Sequence, residues 1–140
     1  MKKIKIYNFI FLLLIFTLNK TFASNLIDIN NEELIILEKK GVPIIDIRTR
    51  NEWLDTGIIP NSHTYTFIYD LERDNFDKWV KEISKNIKLS EPFIIICRSG
   101  KRSKALSQLI SSQQITSKFY NSKKGIIGWL RSGGRVKKYE

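Results

Sequence analysis

Short apolar runs alternate along the chain with amphipathic stretches, and the period of each predicts a different element. Leu26 to Ile29 is a short strand. Asn30-Asn31-Glu32-Glu33 then supplies a capping residue with a carboxylate three positions on, which predicts a helix through LIILEKK, stopped by Gly41. Val42 to Ile47 predicts a strand interrupted by Asp46, and Asn51 to Thr56 predicts one or two helical turns ending at Gly57. Thr64 to Ile68 is a third strand. The clearest helical period follows, with Phe76, Trp79, Val80, Ile83 and Ile87 on one face and Asp74 or Asn75 as its cap. Pro92 to Ile96 is apolar without alternation, as a strand covered on both faces is. From Ser103 the pattern turns helical again. Ala105, Leu106, Leu109 and Ile110 make the inner face, and Ser103, Lys104, Ser107 and Gln108 the outer one. Lys118 to Tyr120 predicts a last strand, and Gly125 to Leu130 a short last helix before Gly133-Gly134. Alternation of this kind predicts an α/β domain, a parallel sheet with helices on both sides.

The first 23 residues do not fit that pattern. Lys2, Lys3 and Lys5 precede an apolar core from Phe9 to Leu18, and Thr21-Phe22-Ala23 closes the segment. A basic head, an apolar core and a small residue at the end describe a secretory signal peptide. The core is short for a membrane span, which needs roughly 20 apolar residues. Residues 1–23 are therefore expected to be removed and the protein exported to the periplasm, with a retained anchor as the alternative. Residues 24–140 make one domain, free of stable membrane association after cleavage. Oxidising compartments favour disulfides, yet the chain has one cysteine, Cys97. It cannot pair within the chain, and a C-x-x-C dithiol chemistry is excluded.

Charge then separates the domain into two parts. Residues 24–96 carry 9 Lys+Arg against 13 Asp+Glu, whereas residues 97–140 carry 11 against Glu140 alone. A basic excess raises the question of nucleic acid, but the export signal and the lack of a recognition motif argue against it. The cations instead form an attractive field for small anions, or for an acidic protein partner.

They centre on Cys97-Arg98-Ser99-Gly100-Lys101-Arg102-Ser103, where a buried strand gives way to a helix. That edge of a parallel sheet is where ligands bind. Gly100 gives a tight loop its backbone freedom, loop amides form an anion nest, and the helix N-terminus adds positive potential. The same surroundings favour a thiolate. The residues point to a sulfur nucleophile working on an anion, against the plainer reading of a buried, inert strand-end cysteine.

The loop resembles the active-site loop of the rhodanese (thiosulfate sulfurtransferase) domain. Val42-Pro43-Ile44-Ile45-Asp46-Ile47-Arg48, Glu52-Trp53 and Gly57-Ile58-Ile59-Pro60 resemble its earlier segment, and Lys124-Gly125-Ile126-Ile127-Gly128-Trp129 with Gly133-Gly134-Arg135-Val136 its last. Ile58, Asn61-Ser62 and Lys124 depart from the family's usual His, Gly-Ala and Gly. The resemblance spans most of residues 26–136. It implies a three-layer fold with a mostly parallel five-stranded sheet, and a sulfur relay without metal or organic cofactor. Cys97 would take the outer sulfur of thiosulfate as a persulfide and pass it to cyanide or a thiol. The amides of residues 98–102 would hold the persulfide charge. Arg102, with Arg98 or Lys101, would bind the donor's anionic group.

Other residues are read as support. Asp46 ties loops at the strand end, Arg48 pairs with Glu52, His63 is a non-catalytic loop residue, and Trp129 is core. A phosphatase or arsenate reductase is the rival enzyme. Phosphatases of this fold place five residues between Cys and Arg, whereas four lie between Cys97 and Arg102, with Ser103 at the phosphatase position. A persulfide carrier acting with a protein partner is the other alternative.

Overall fold

The computed structural model describes residues 25–68, 73–113 and 118–140. The expected signal peptide, residues 1–23, lies outside them. The elements run β1 (Leu26–Ile29), α1 (Asn31–Lys39), β2 (Ile44–Asp46), α2 (Arg50–Thr56), β3 (His63–Thr64), α3 (Arg73–Ile83), β4 (Phe93–Ile96), α4 (Lys101–Ser112), β5 (Phe119–Ser122) and α5 (Gly125–Arg131). The strands form one sheet in the order β1-β5-β4-β2-β3, every pairing parallel.

The apolar strands serve both faces, because successive side chains point to opposite sides. Ile45, Phe93, Ile95 and Phe119 pack with Phe76, Trp79 and Ile83 of α3 and Leu106 and Ile110 of α4. Ile29, Ile44, Ile94 and Ile96 pack with Leu34 of α1 and Ile126 and Trp129 of α5. The result is three layers, and each large side chain buried this way contributes about 1.5–3 kcal/mol. Among the described residues no helix is long and apolar enough to cross a membrane.

Several expectations shift in detail. Asn30 caps α1 in a capping box with Glu33, as its spacing indicated. Helix α3 already runs from Arg73, so Asp74 and Asn75 lie within it and not before it; Ile87 is buried beyond its end. The strand expected over 64–68 shortens to His63–Thr64, which makes His63 part of the sheet. Beyond Thr64 the chain bonds to the end of β2 and the residue after it, through Tyr65 N–H to the Asp46 carbonyl and Phe67 N–H to that of Ile47. Ser103 and Ser107, expected on the solvent face of α4, are both fully buried. Short hydroxyl side chains can be covered where a long polar one cannot, and in Ser103 this brings the hydroxyl to the sulfur.

Candidate active site

The carboxyl edge of the sheet gathers the chemistry: Asp46 ends β2, Cys97 follows β4, and Asn121 and Ser122 close β5. At the first of these, Asp46 is 0 % and Arg48 1 % exposed. Arg48 Nη2 lies 2.7 Å from Asp46 Oδ2, and its Nε donates to both carboxylate oxygens. The other guanidinium protons go to the carbonyls of Glu52 and Gly57 and to the Thr56 hydroxyl. Arg48 thus ties the end of β2 to the far end of α2. Such buried charges must be paired.

The expected Arg48–Glu52 ion pair is therefore corrected. Glu52 lies in the first turn of α2, where it closes a capping box with Thr49, and its carboxylate faces the sulfur loop. There it meets Arg102 in a two-pronged pair, Oε1 to Nη2 at 2.6 Å and Oε2 to Nη1 at 3.0 Å. Partial burial pushes the Glu52 carboxyl up, but Arg102 and Thr49 together outweigh it and hold the group below its ordinary range. Hydrogen bonding to Glu52 raises Arg102 in return. The fork expected to grip a donor anion is engaged within the protein, as a brace between α2 and the start of α4.

Cys97 is fully buried beneath its loop. Gly100, at φ +88°, caps α4 in the left-handed region, and its N–H donates to Cys97 Sγ at 3.1 Å. The first amides of α5 reach back to the loop: Ile126 N–H donates to the Cys97 carbonyl at 2.9 Å, and Ile127 N–H to that of Arg98 at 3.1 Å. With these carbonyls tied away, the Gly100 N–H is left for sulfur. The approach demands glycine on both sides. A Cβ on Gly100 would strike the Lys123 and Ser122 carbonyls, and one on Gly125, itself at φ +57°, those of Cys97 and Arg98.

Arg98, Ser99 and Lys101 are exposed, and neither Arg98 nor Lys101 forms an ion pair among the described residues. The structure therefore leaves Arg98 and Lys101 open on the loop and ties Asp46, Arg48, Glu52 and Arg102 into a frame, with Arg102 still close enough to Cys97 for the sulfur to favour its charge.

Sequence reasoning missed a second contact to the sulfur. Ser103 Oγ lies 3.3 Å from Cys97 Sγ and 2.5 Å from Asn121 Oδ1, and Asn121 Nδ2 donates to Asp28 Oδ1 at 2.7 Å. Asn121 directly after the expected last strand was the available signal, but that strand was read as ending at Tyr120, whereas it runs to Ser122.

A three-layer α/β domain with a lone cysteine under a cation-flanked loop at the carboxyl edge of a parallel sheet defines the class. Within it, the rhodanese-like domain family model matches residues 30–132, and the chain belongs to that family. Among solved structures it is similar to a rhodanese-like domain protein from Staphylococcus aureus, at 26 % identity over 79 % of this chain and 97 % of that one, TM-score 0.57. A Rhodopseudomonas palustris protein of unknown function, described as a possible tyrosine phosphatase, is 25 % identical over 81 % and 86 %, TM-score 0.60. The polysulfide-sulfur transferase homodimer of Wolinella succinogenes shares the fold at 18 % identity over 86 % and 85 %, TM-score 0.62. No curated protein matches the chain.

Proposed function

We propose that the protein is a sulfurtransferase working through a Cys97 persulfide. The thiolate attacks the outer sulfur of thiosulfate, a Cys97 S–S bond forms, and sulfite leaves with the electron pair of the broken bond. Cyanide or a thiolate then attacks the outer sulfur of the persulfide and regenerates the Cys97 thiolate. The observation that carries this reading is the Gly100 N–H on Sγ, under a loop whose Cys97 and Arg98 carbonyls are held by α5. Arg98 and Lys101 would receive the donor's sulfonate in place of the engaged Arg102.

Burial of Sγ also bears on the phosphatase alternative. A donor must present a slim terminal atom, as thiosulfate does and a bulky phosphate ester does not. The four-residue spacing before Arg102 and the fixing of that fork by Glu52 weigh the same way.

A carrier reading has its own support. Beside Ser99 lies an open groove of about 650 Å³ lined by Lys123, Lys124 and Arg131. None of these cations forms an ion pair among the described residues. An acidic protein bearing the acceptor thiol would complement it.

Intact mass after incubation with thiosulfate tests the main reading. The expected result is a gain of one sulfur atom, absent in Cys97→Ser and removed by cyanide. No gain with any sulfane donor, together with phosphate release from an ester, would overturn it. Loading that needs no partner, followed by discharge only to an acidic protein thiol, would select the carrier.

A further inference from the structure

We propose that the Ser103 hydroxyl is a two-position proton switch for Cys97, biased by Asn121 and Asp28. This rests on Cys97 being the reactive sulfur and adds how its charge state is set. Parallel register places Asp28 of β1 beside Asn121 of β5, and Asn121 beside Ile95 of β4, two residues before Cys97. All of these side chains therefore share the sheet face that α4 covers, which is why Ser103 of α4 meets them.

The ends of the chain of bonds determine its direction. Asn121 holds the Asp28 carboxyl below its ordinary range, and Lys104, 2.9 Å away, adds to the effect. An ionised carboxylate only accepts, so Asn121 turns its NH2 to Asp28 and its carbonyl oxygen to Ser103. Ser103 has one proton and three acceptors in reach: that carbonyl at 2.5 Å, its own turn's Gly100 carbonyl at 3.2 Å and Cys97 Sγ at 3.3 Å. With the proton on Asn121, the Ser103 oxygen faces a thiol and accepts from it. With the O–H turned to sulfur, Ser103 donates to a thiolate or to the inner sulfur of a persulfide beside the Gly100 amide. Asp28 and Asn121 favour the first position, and the charge on sulfur favours the second.

Ser103 touches the reacting atom, while Asn121 and Asp28 are positioning residues acting through it. Charged groups from the neighbouring elements set the background: Asp46 of β2, Glu52 of α2, Arg98 of the loop, Lys101, Arg102 and Lys104 of α4, and Lys123 after β5. The test leaves these seven in place.

The experiment is the pH profile of Cys97 alkylation by iodoacetamide in the purified protein, with sulfur loading measured in parallel. Alkylation needs no sulfur donor, so a failure of sulfur transfer leaves the switch testable. Ser103→Ala should move the midpoint up by about one unit, the scale of one hydrogen bond to a charged group. Asp28→Asn should move it down, because Asn121 is then free to turn its NH2 toward Ser103 and drive the hydroxyl proton onto sulfur. In the double variant the Asp28 effect should vanish. An Asp28→Asn shift that persists without the hydroxyl would reveal a through-space charge effect and overturn the switch. So would a downward shift, or none, in Ser103→Ala. If Ser103→Ala does not fold, Asn121→Leu replaces it: it removes the competing acceptor without changing charge, and only a lowered midpoint supports the proposal.

Discussion

Two groups of charges meet at the carboxyl edge of one sheet, and the protein treats them in opposite ways. In the corner between β2 and α2, Asp46, Arg48, Glu52 and Arg102 are paired with one another, and Arg48 spends its remaining protons on carbonyls and a hydroxyl. Around the sulfur loop, Arg98, Lys101, Lys123, Lys124 and Arg131 form no ion pair among the described residues, and only Lys123 acts on a carboxylate at longer range, that of Asp28. Burial accounts for the innermost pair, Asp46 and Arg48, while Glu52 and Arg102 are half-buried at its edge. A charge at 0 or 1 % exposure must find its complement inside the fold, whereas an exposed cation can wait for a ligand. Closed charges should therefore govern stability, and open ones anion binding.

The largest effect expected is on the closed side. Asp46→Asn leaves the Arg48 guanidinium buried with only neutral acceptors. Urea denaturation should show a loss of about 3–5 kcal/mol. A loss under about 0.5 kcal/mol, the range of surface changes, would break the contrast. Next comes the seam between the two regions. Gly125→Ala forces a side chain against the Cys97 and Arg98 carbonyls from a backbone already at φ +57°. It should cost about 1–3 kcal/mol and, by displacing the loop, slow sulfur loading about a hundredfold. Stopped-flow loading by thiosulfate checks the second figure, and unchanged loading would mean that α5 does not shape the loop.

Much of this was legible in the sequence, and what was not has a physical cause. Periodicity located α3 and α4 and the buried strand β4, because each is a local pattern. The Cys97–Ser103 loop was legible because a lone nucleophile, a glycine and cations lie within seven residues. The partner of Glu52 was not legible. Glu52 lies four positions after Arg48, an inviting helical spacing, yet Arg48 lies outside α2 and Arg102 arrives from 50 positions away. Ser103 was misplaced for a related reason. Amphipathic patterning assigns a hydroxyl to water, but the side chain is small enough to bury once Asn121 and the sulfur satisfy it. Long-range polar pairing leaves no periodic trace.

A smaller effect separates the brace from the substrate cations. Glu52→Gln weakens the grip on Arg102, and the loss at neutral pH should not exceed about 1 kcal/mol, because both side chains keep partial contact with water. Its pH dependence is the sharper reading. The folded Glu52 carboxyl lies below its reference value of 4.5, so the pair contributes above that pH and is lost as pH falls through the lowered value. Thermal unfolding should separate variant from wild type at pH 7, and the two should converge under acid. A gap that persists when Glu52 is protonated would show that shape, not charge, holds the brace.

The smallest expected change in stability belongs to the open cations, and it completes the contrast. Arg98→Met and Lys101→Met should unfold within about 0.5 kcal/mol of wild type, since neither side chain supports the fold through an ion pair. Their effect should fall on the donor: KM for thiosulfate should rise about two- to fivefold, the scale of an exposed ion pair, with little change in kcat. Raising the salt concentration should shrink the difference, because screening at 1 M reaches within about 3 Å and an exposed sulfonate contact lies open to it. A salt-independent rise in KM would mean that these side chains shape the entrance to Cys97 instead of supplying charge. The open region would then resemble the closed one, with its cations positioned by packing.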